Sequence, residues 1–217
     1  MKIYQIYIVD DHPIFLKGLT MLLNEVKEFK VIGEAHNGVG FLLDIEHHKP
    51  DVVLMDIRMP EMNGIEATRH ALEKFPDLNI IALTMFGEQK YYNLMAEAGA
   101  RGFLQKDVSK DELVLAIKRV SDGETYFSQR VINELAGNSD SLGNNDIMVS
   151  MGEKLTEREF EALKYLVLGL SAHEIAEKMF ISPRTVEGHR ASLISKTGTK
   201  NVVELVIFAV RHKLIIL

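Results

Sequence analysis

Along the first 120 residues, short β-type apolar runs alternate with stretches whose apolar positions recur at helical spacing. The runs at 3–9, 31–35, 52–55, 80–84 and 102–104 predict five strands. Helical periods follow them: Phe15, Leu19, Leu22, Leu23 and Val26; Phe41, Leu42 and Ile45; Ile65, Ala67, Leu72 and Phe75; Tyr92, Met95 and Ala98; Leu113, Ile117 and Val120. Five βα units in succession specify a parallel sheet with helices on both faces, so residues 1–122 are expected to form an α/β doubly wound (βα)5 domain. Ligands of such folds sit beyond the carboxyl ends of the strands, which is where chemistry is to be sought.

The pattern then changes. Residues 128–136 read as one further short helix, capped by Ser128 and stopped by Gly137, and 137–152 are dominated by Gly, Asn, Ser and Asp. The stretch 123–152 is therefore expected to be a linker with a short helix. Four helix starts follow at close spacing. Thr156 with Glu159, Ser171 with Glu174 and Asn201 with Glu204 have the form of a capping box or its Asn variant, and Ser182-Pro183 pairs an N-cap with proline at the first helical position. Residues 153–217 are expected to be a small all-α domain of four helices around Phe160, Leu163, Leu166, Ile175, Ala176, Met179, Val186, Leu193, Leu205, Val206 and Phe208.

Composition narrows the classes of function. With 47% hydrophobic and 26% charged residues, the 217-residue chain can bury real cores. No apolar run approaches the ~18 residues of a membrane span, and residues 1–9 lack a signal peptide's apolar region, so no membrane partner and a cytoplasmic location are expected. Zero cysteines exclude disulfides, thiolate catalysis and thiolate-bound metals. The net charge of −6 is unevenly spread: residues 153–217 carry 10 Lys and Arg against 8 Asp and Glu, a net of +2, which leaves −8 for residues 1–152. An acidic first part and a mildly basic second part suggest two tasks on one chain.

The predicted strand ends gather Asp10 and Asp11 after the first strand, Asp56 after the third, Thr84 at the end of the fourth and Lys106 after the fifth. Three carboxylates at one edge repel one another unless a cation intervenes, and an all-oxygen donor set suits Mg²⁺. A carboxylate beside that ion can attack a phosphoryl group and become an aspartyl phosphate, with Lys106 and Thr84 holding the phosphoryl oxygens. Taken singly, aspartates at strand ends serve more often as caps and solvated turns. The joint set resembles something specific. Val9-Asp10-Asp11-His12-Pro13, the stretch Met55-Asp56-Ile57-Arg58-Met59-Pro60-Glu61-Met62-Asn63-Gly64, Thr84, and Gly102-Phe103-Leu104-Gln105-Lys106 resemble the receiver domain of bacterial two-component response regulators. The resemblance implies Asp56 as phosphoacceptor of a sensor histidine kinase. It makes Asp11, Asp56 and the backbone carbonyl of Arg58 direct Mg²⁺ ligands and Asp10 a ligand through water. Thr84 and Phe103 become a switch pair, and Lys106 binds phosphate. Phe103 stands where many receivers have tyrosine, so it offers no phenol. His12 is expected at the solvent edge of the pocket.

Residues 171–190 read as helix, turn, helix, the second helix starting at Pro183. On a helical wheel Val186, Leu193 and Thr197 share one side, whereas Arg184, Gly188, Ala191 and Ser195 share the opposite one. Small residues admit a close approach to base edges, and Arg184 can reach phosphate or guanine. A plain helical hairpin is the alternative. The motifs Leu155-Thr156-Glu157-Arg158-Glu159, Gly169-Leu170-Ser171, Glu174-Ile175-Ala176, Thr185-Val186, His189-Arg190 and Lys196 also resemble the LuxR-type DNA-binding domain, and with the receiver they make the NarL/FixJ architecture. That resemblance adds Thr185, Glu187 and Lys196 to the DNA-facing set and implies a homodimer on double-stranded promoter DNA after phosphorylation. Glu187 replaces a lysine common in the family, and Ala172-His173 replaces a polar and basic pair. His189 is expected to pack. A regulator, not an enzyme, is the leading reading; a Mg²⁺-dependent phosphohydrolase with Asp56 as nucleophile and a protein-binding module are the rivals, the first weakened by Arg58 where a second carboxylate would stand.

Overall fold

A computed structural model describes residues 2–85, 90–137 and 155–215, which fall into two compact units, Met1–Ser128 and Gln129–Leu217. The first contains β1 (Tyr4–Val9), α1 (Pro13–Asn24), β2 (Phe29–Ala35), α2 (Gly38–Asp44), β3 (Val52–Asp56), α3 (Gly64–Lys74), β4 (Ile80–Thr84), α4 (Lys90–Ala98), β5 (Gly102–Gln105), α5 (Lys110–Ser121) and β6 (Tyr126–Phe127). Strand order is β2-β1-β3-β4-β5-β6 and every pairing is parallel. This is the doubly wound sheet expected from the alternating pattern, with one strand more. Two residues are too few for a periodicity signal, and β6 exists because Phe127 aligns with Phe103 while Tyr126 N–H donates to the Arg101 carbonyl at 3.0 Å.

One face of the sheet buries Ile6, Ile8, Leu54, Leu83 and Leu104 against Leu16, Leu19 and Leu23 of α1 and Leu113, Ala116, Ile117 and Val120 of α5. Central strands β3 and β4 are buried at every residue, which explains their uninterrupted apolar character up to the terminal Asp56 and Thr84. Gly64, the first residue of α3, lies so close to Asp56 that a Cβ there would collide with the Asp56 carbonyl oxygen, and Asn63 caps the helix by accepting from Ile65 and Glu66 N–H at 3.0 Å. The β3–α3 connection is thereby pressed against the strand end that carries Asp56.

The second unit contains α6 (Gln129–Gly137), α7 (Glu157–Val167), α8 (Ala172–Met179), α9 (Pro183–Thr197) and α10 (Val202–Arg211). The four predicted starts are capped as their sequences require, with full capping boxes at Thr156 and Ser171 and Ser182 and Asn201 accepting from the third residue on. The short helix within the expected linker is α6; it buries Val131, Ile132 and Leu135 and packs on α10, so this unit has five described helices. The rest of the expected linker, 138–152, lies outside the described residues. Of the expected core residues, Phe160 is 44% exposed and Phe208 only partly buried, whereas Leu163 is fully buried. No helix among the described residues is long and apolar enough to cross a membrane.

Candidate functional site

At the carboxyl edge of the sheet, Asp56 is the last residue of β3 and Asp10 the first after β1; both are buried. Lys106 follows β5 and is tied by its backbone N–H to the Thr84 carbonyl at 2.8 Å. Its ammonium lies 2.7 Å from Asp10 Oδ2 and 2.8 Å from Asp56 Oδ2, and 5.1 Å from the centre of the Phe15 ring. Three elements distant in sequence thus meet in one charged triad. Burial pushes the Asp56 carboxyl up to about 6, against the lowering effects of Lys106 and of the Arg58 backbone N–H. Burial also disfavours the Lys106 charge, but the bonds to Asp10 and Asp56 outweigh it and hold the ammonium above its ordinary range.

Asp11 completes the acidic set at the rim. Ligand atoms of Asp10, Asp11, His12 and Asp56 lie within 4.8 Å of one another. Buried Asp10 Oδ2 and Asp11 Oδ1 accept no hydrogen bond of good geometry among the described residues, although Lys106 Nζ stands 2.7 Å from the first and His12 Nδ1 2.9 Å from the second. Three converging carboxylates, two of them with buried oxygens lacking a well-formed hydrogen bond, fit a hard divalent cation, with His12 beside them. His12 sits at the solvent edge, as expected, with a mostly exposed side chain. The cleft over the triad is also lined by Arg58, Met59, Pro60 and Met85. Thr84 is wholly buried, its Oγ1 3.4 Å from the Tyr92 hydroxyl, and Phe103 is wholly buried beside Tyr92. Tyr92 reads in the sequence as an apolar position of a helix and, with Tyr91, as part of a surface beside Phe103 that rearranges with Thr84; the structure instead buries it wholly, with its hydroxyl at Thr84.

In the helical unit the wheel is reproduced: Val186 and Leu193 of α9 are buried, whereas Arg184, Thr185, Glu187, Gly188, Ala191 and Ser195 are exposed. Gly188 would meet nothing if it carried a Cβ, so this face is open. Lys196, expected in the same set, is partly exposed and engaged within the unit. Its ammonium turns to Glu159 of α7, 2.6 and 2.8 Å from the two carboxylate oxygens, because Glu159 is nearly buried and needs a counter-charge. Ser192 Oγ donates to the same carboxylate at 2.6 Å, and Arg190 pairs with Glu187 at 2.8 Å. The sequence marks Glu159 as a capping residue; its second task of anchoring α9 is a tertiary feature.

Residues 6–118 match the response regulator receiver domain family, and residues 153–209 match the bacterial regulatory proteins of the luxR family. The oxygen regulatory protein NreC of Staphylococcus aureus is 36% identical over 214 residues, covering 97% of this chain and 99% of that one. The crystal structure of response regulator ChrA of a heme-sensing two-component system superposes with a TM-score of 0.57 at 30% identity, covering 99% of this chain and all of the other. A LuxR-family two-component response regulator from Aurantimonas gives a TM-score of 0.59 at 32% identity over 63% of this chain and 97% of its own. Two family matches placed on the two units, and relatives aligned end to end, make one protein of them: the chain belongs to the two-component response regulators that join a receiver domain to a LuxR-type DNA-binding domain.

Proposed function

We propose that this regulator is switched by phosphorylation of Asp56 and that α9 carries the signal to promoter DNA. The observation that supports this most is the buried triad, in which Lys106 neutralises two carboxylates that would otherwise repel each other at 2.7 and 2.8 Å from one ammonium. In this reading an Asp56 oxygen attacks the phosphorus of a phosphohistidine on a sensor histidine kinase. The new O–P bond forms as the N–P bond breaks, and the imidazole leaves with the electron pair. Lys106 then exchanges its contact with Asp56 for one with a phosphoryl oxygen, where it offsets developing negative charge. Asp10, Asp11, Asp56 and the Arg58 backbone carbonyl would hold Mg²⁺, which when bound supplies positive charge to the transferring oxygens. The Thr84 hydroxyl turns toward the phosphoryl group, and Phe103 follows by packing alone.

The domain boundaries assigned to this scheme are 1–122 for the receiver and 153–217 for the DNA-binding domain, with α6 between them in sequence. Exposed Arg184, Thr185, Gly188, Ala191 and Ser195 are the DNA-facing set, and Glu187 lies beside them. Lys196 acts mainly by holding α9 to Glu159. A net charge of +2 on residues 153–217 neutralises few phosphates, so stable binding calls for two copies, joined after phosphorylation. The protein acts in the cytoplasm, and Arg58 two residues after the acceptor argues for a regulator over a phosphohydrolase. Incubation with acetyl phosphate and Mg²⁺ is expected to add one acid-labile phosphoryl group, to be absent in Asp56→Asn, and to tighten binding to promoter fragments. Labelling of Asp56→Asn to the wild-type extent would refute the assignment.

A further inference from the structure

Thr84 and Tyr92 both bury a hydroxyl completely, and the two oxygens lie 3.4 Å apart. A buried hydroxyl without a hydrogen-bonding partner is costly, so the rotamer of Thr84 and the placement of the Tyr92 phenol are not independent. The Tyr92 ring stands edge-on to Phe103, with centroids 5.9 Å apart and planes at 88°, and Phe103 in turn stacks on Phe127 of β6 at 5.2 Å and 5°. Tyr92 is therefore the one aromatic of this group that touches both members of the switch pair, Thr84 by its hydroxyl and Phe103 by its ring. The β5 aromatic carries no hydroxyl; α4 supplies one from the side.

We infer that Tyr92 is a positioning residue of the switch, whose hydroxyl holds Thr84 in the unphosphorylated arrangement and couples its rotation to α4. This rests on the phosphorylation reading above. When Thr84 turns to a phosphoryl oxygen, its contact with the Tyr92 hydroxyl is broken, and α4 loses that tie to β4. Removing the hydroxyl therefore removes a contact that only the unturned threonine makes. A ligand that selects the turned-in threonine must bind more tightly to the relieved protein, because it no longer works against that hydrogen bond.

The test is titration of the full chain with beryllium fluoride at saturating Mg²⁺, read from backbone amide resonances of β4, α4 and β5. Wild type, Tyr92→Phe, Thr84→Ala and the double variant are compared. Tyr92→Phe keeps the ring and its packing and is expected to raise the apparent affinity about threefold to tenfold, the worth of one net hydrogen bond. In the Thr84→Ala background the same substitution is expected to change nothing, since the partner is already gone. An unchanged or lowered affinity in Tyr92→Phe, or an equal gain in both backgrounds, would overturn the inference, the latter by showing a packing effect that does not pass through Thr84. If wild type shows no response while its spectrum is that of a folded protein, the phosphorylation reading itself fails and takes this one with it.

Discussion

Substituting Glu159 with Gln keeps the size of the side chain and removes its charge, in the DNA-binding unit and far in sequence from the acidic cleft. The carboxylate is 5% exposed and accepts from Lys196, from Ser192, from the Thr156 backbone N–H at 2.8 Å and from the Thr156 hydroxyl at 3.0 Å. Burial alone would raise its pKa, but the bonds from Lys196, Ser192 and Thr156 outweigh burial and hold it down at about 2, against an ordinary 4.5. At 1.36 kcal/mol per pH unit, that separation corresponds to about 3 kcal/mol in favour of the folded, charged form. Lys196 is 31% exposed, so water screens part of the attraction and about 2 kcal/mol is the working figure. The folded pKa lies below the unfolded one. The contribution is therefore complete above about pH 4.5 and is lost as pH falls from there toward 2. Amide hydrogen exchange on the full chain reads this directly, with the receiver amides as internal control. Glu159→Gln is expected to speed exchange of the α7 and α9 amides by about 30-fold at pH 7, the equivalent of 2 kcal/mol. Wild type, corrected for intrinsic rates, should lose this protection on acidification, and the variant should have none of that acid-dependent loss. Equal protection in the two proteins at pH 7, or the same acid-dependent loss in both, would refute the reasoning.

Gly64→Ala drives a methyl group into the Asp56 carbonyl and should destabilise the receiver by about 1–3 kcal/mol in urea unfolding, while slowing acetyl phosphate labelling because Asp56 is displaced. Asp11→Ala removes one of three crowded anions, so its melting temperature should equal or exceed that of wild type while the Mg²⁺ concentration needed for half-maximal labelling rises. Arg184→Ala should lower the slope of log K against log salt by about 0.9 if the guanidinium contacts phosphate, with affinity falling on every promoter sequence alike, as measured by fluorescence polarisation.

Much of this architecture could be read along the chain because the information was local. Strands β1 to β5 announce themselves as short β-type runs between helical periods, and Thr156, Ser171, Ser182 and Asn201 carry their helix starts in their own side chains. The strand β6 is not legible in the sequence, since two residues have no period and its place depends on Arg101 and Phe103 already being positioned. The helix α6 is legible from its cap and stop, but not its allegiance: whether Val131, Ile132 and Leu135 cover anything is decided by the apolar side of α10, some 70 residues on. Phe160 shows the same limit in reverse, an apolar residue at helical spacing that falls on the rim of its core.

The acidic cleft divides along the same line. A parallel sheet sends every strand's carboxyl end to one edge, so once the βα alternation was read, the convergence of Asp10, Asp11, Asp56, Thr84 and Lys106 followed from topology without coordinates. What required the tertiary structure was how these groups share their charge and their bonds: Lys106 bridging Asp10 and Asp56 rather than one of them, Tyr92 reaching Thr84 from α4, and Lys196 drawn off the open face of α9 to Glu159. Periodicity and caps are properties of neighbours along the backbone, whereas the partner of a buried polar atom is set by which distant side chains the packed core brings within about 3 Å of it, and that choice is written in no single segment.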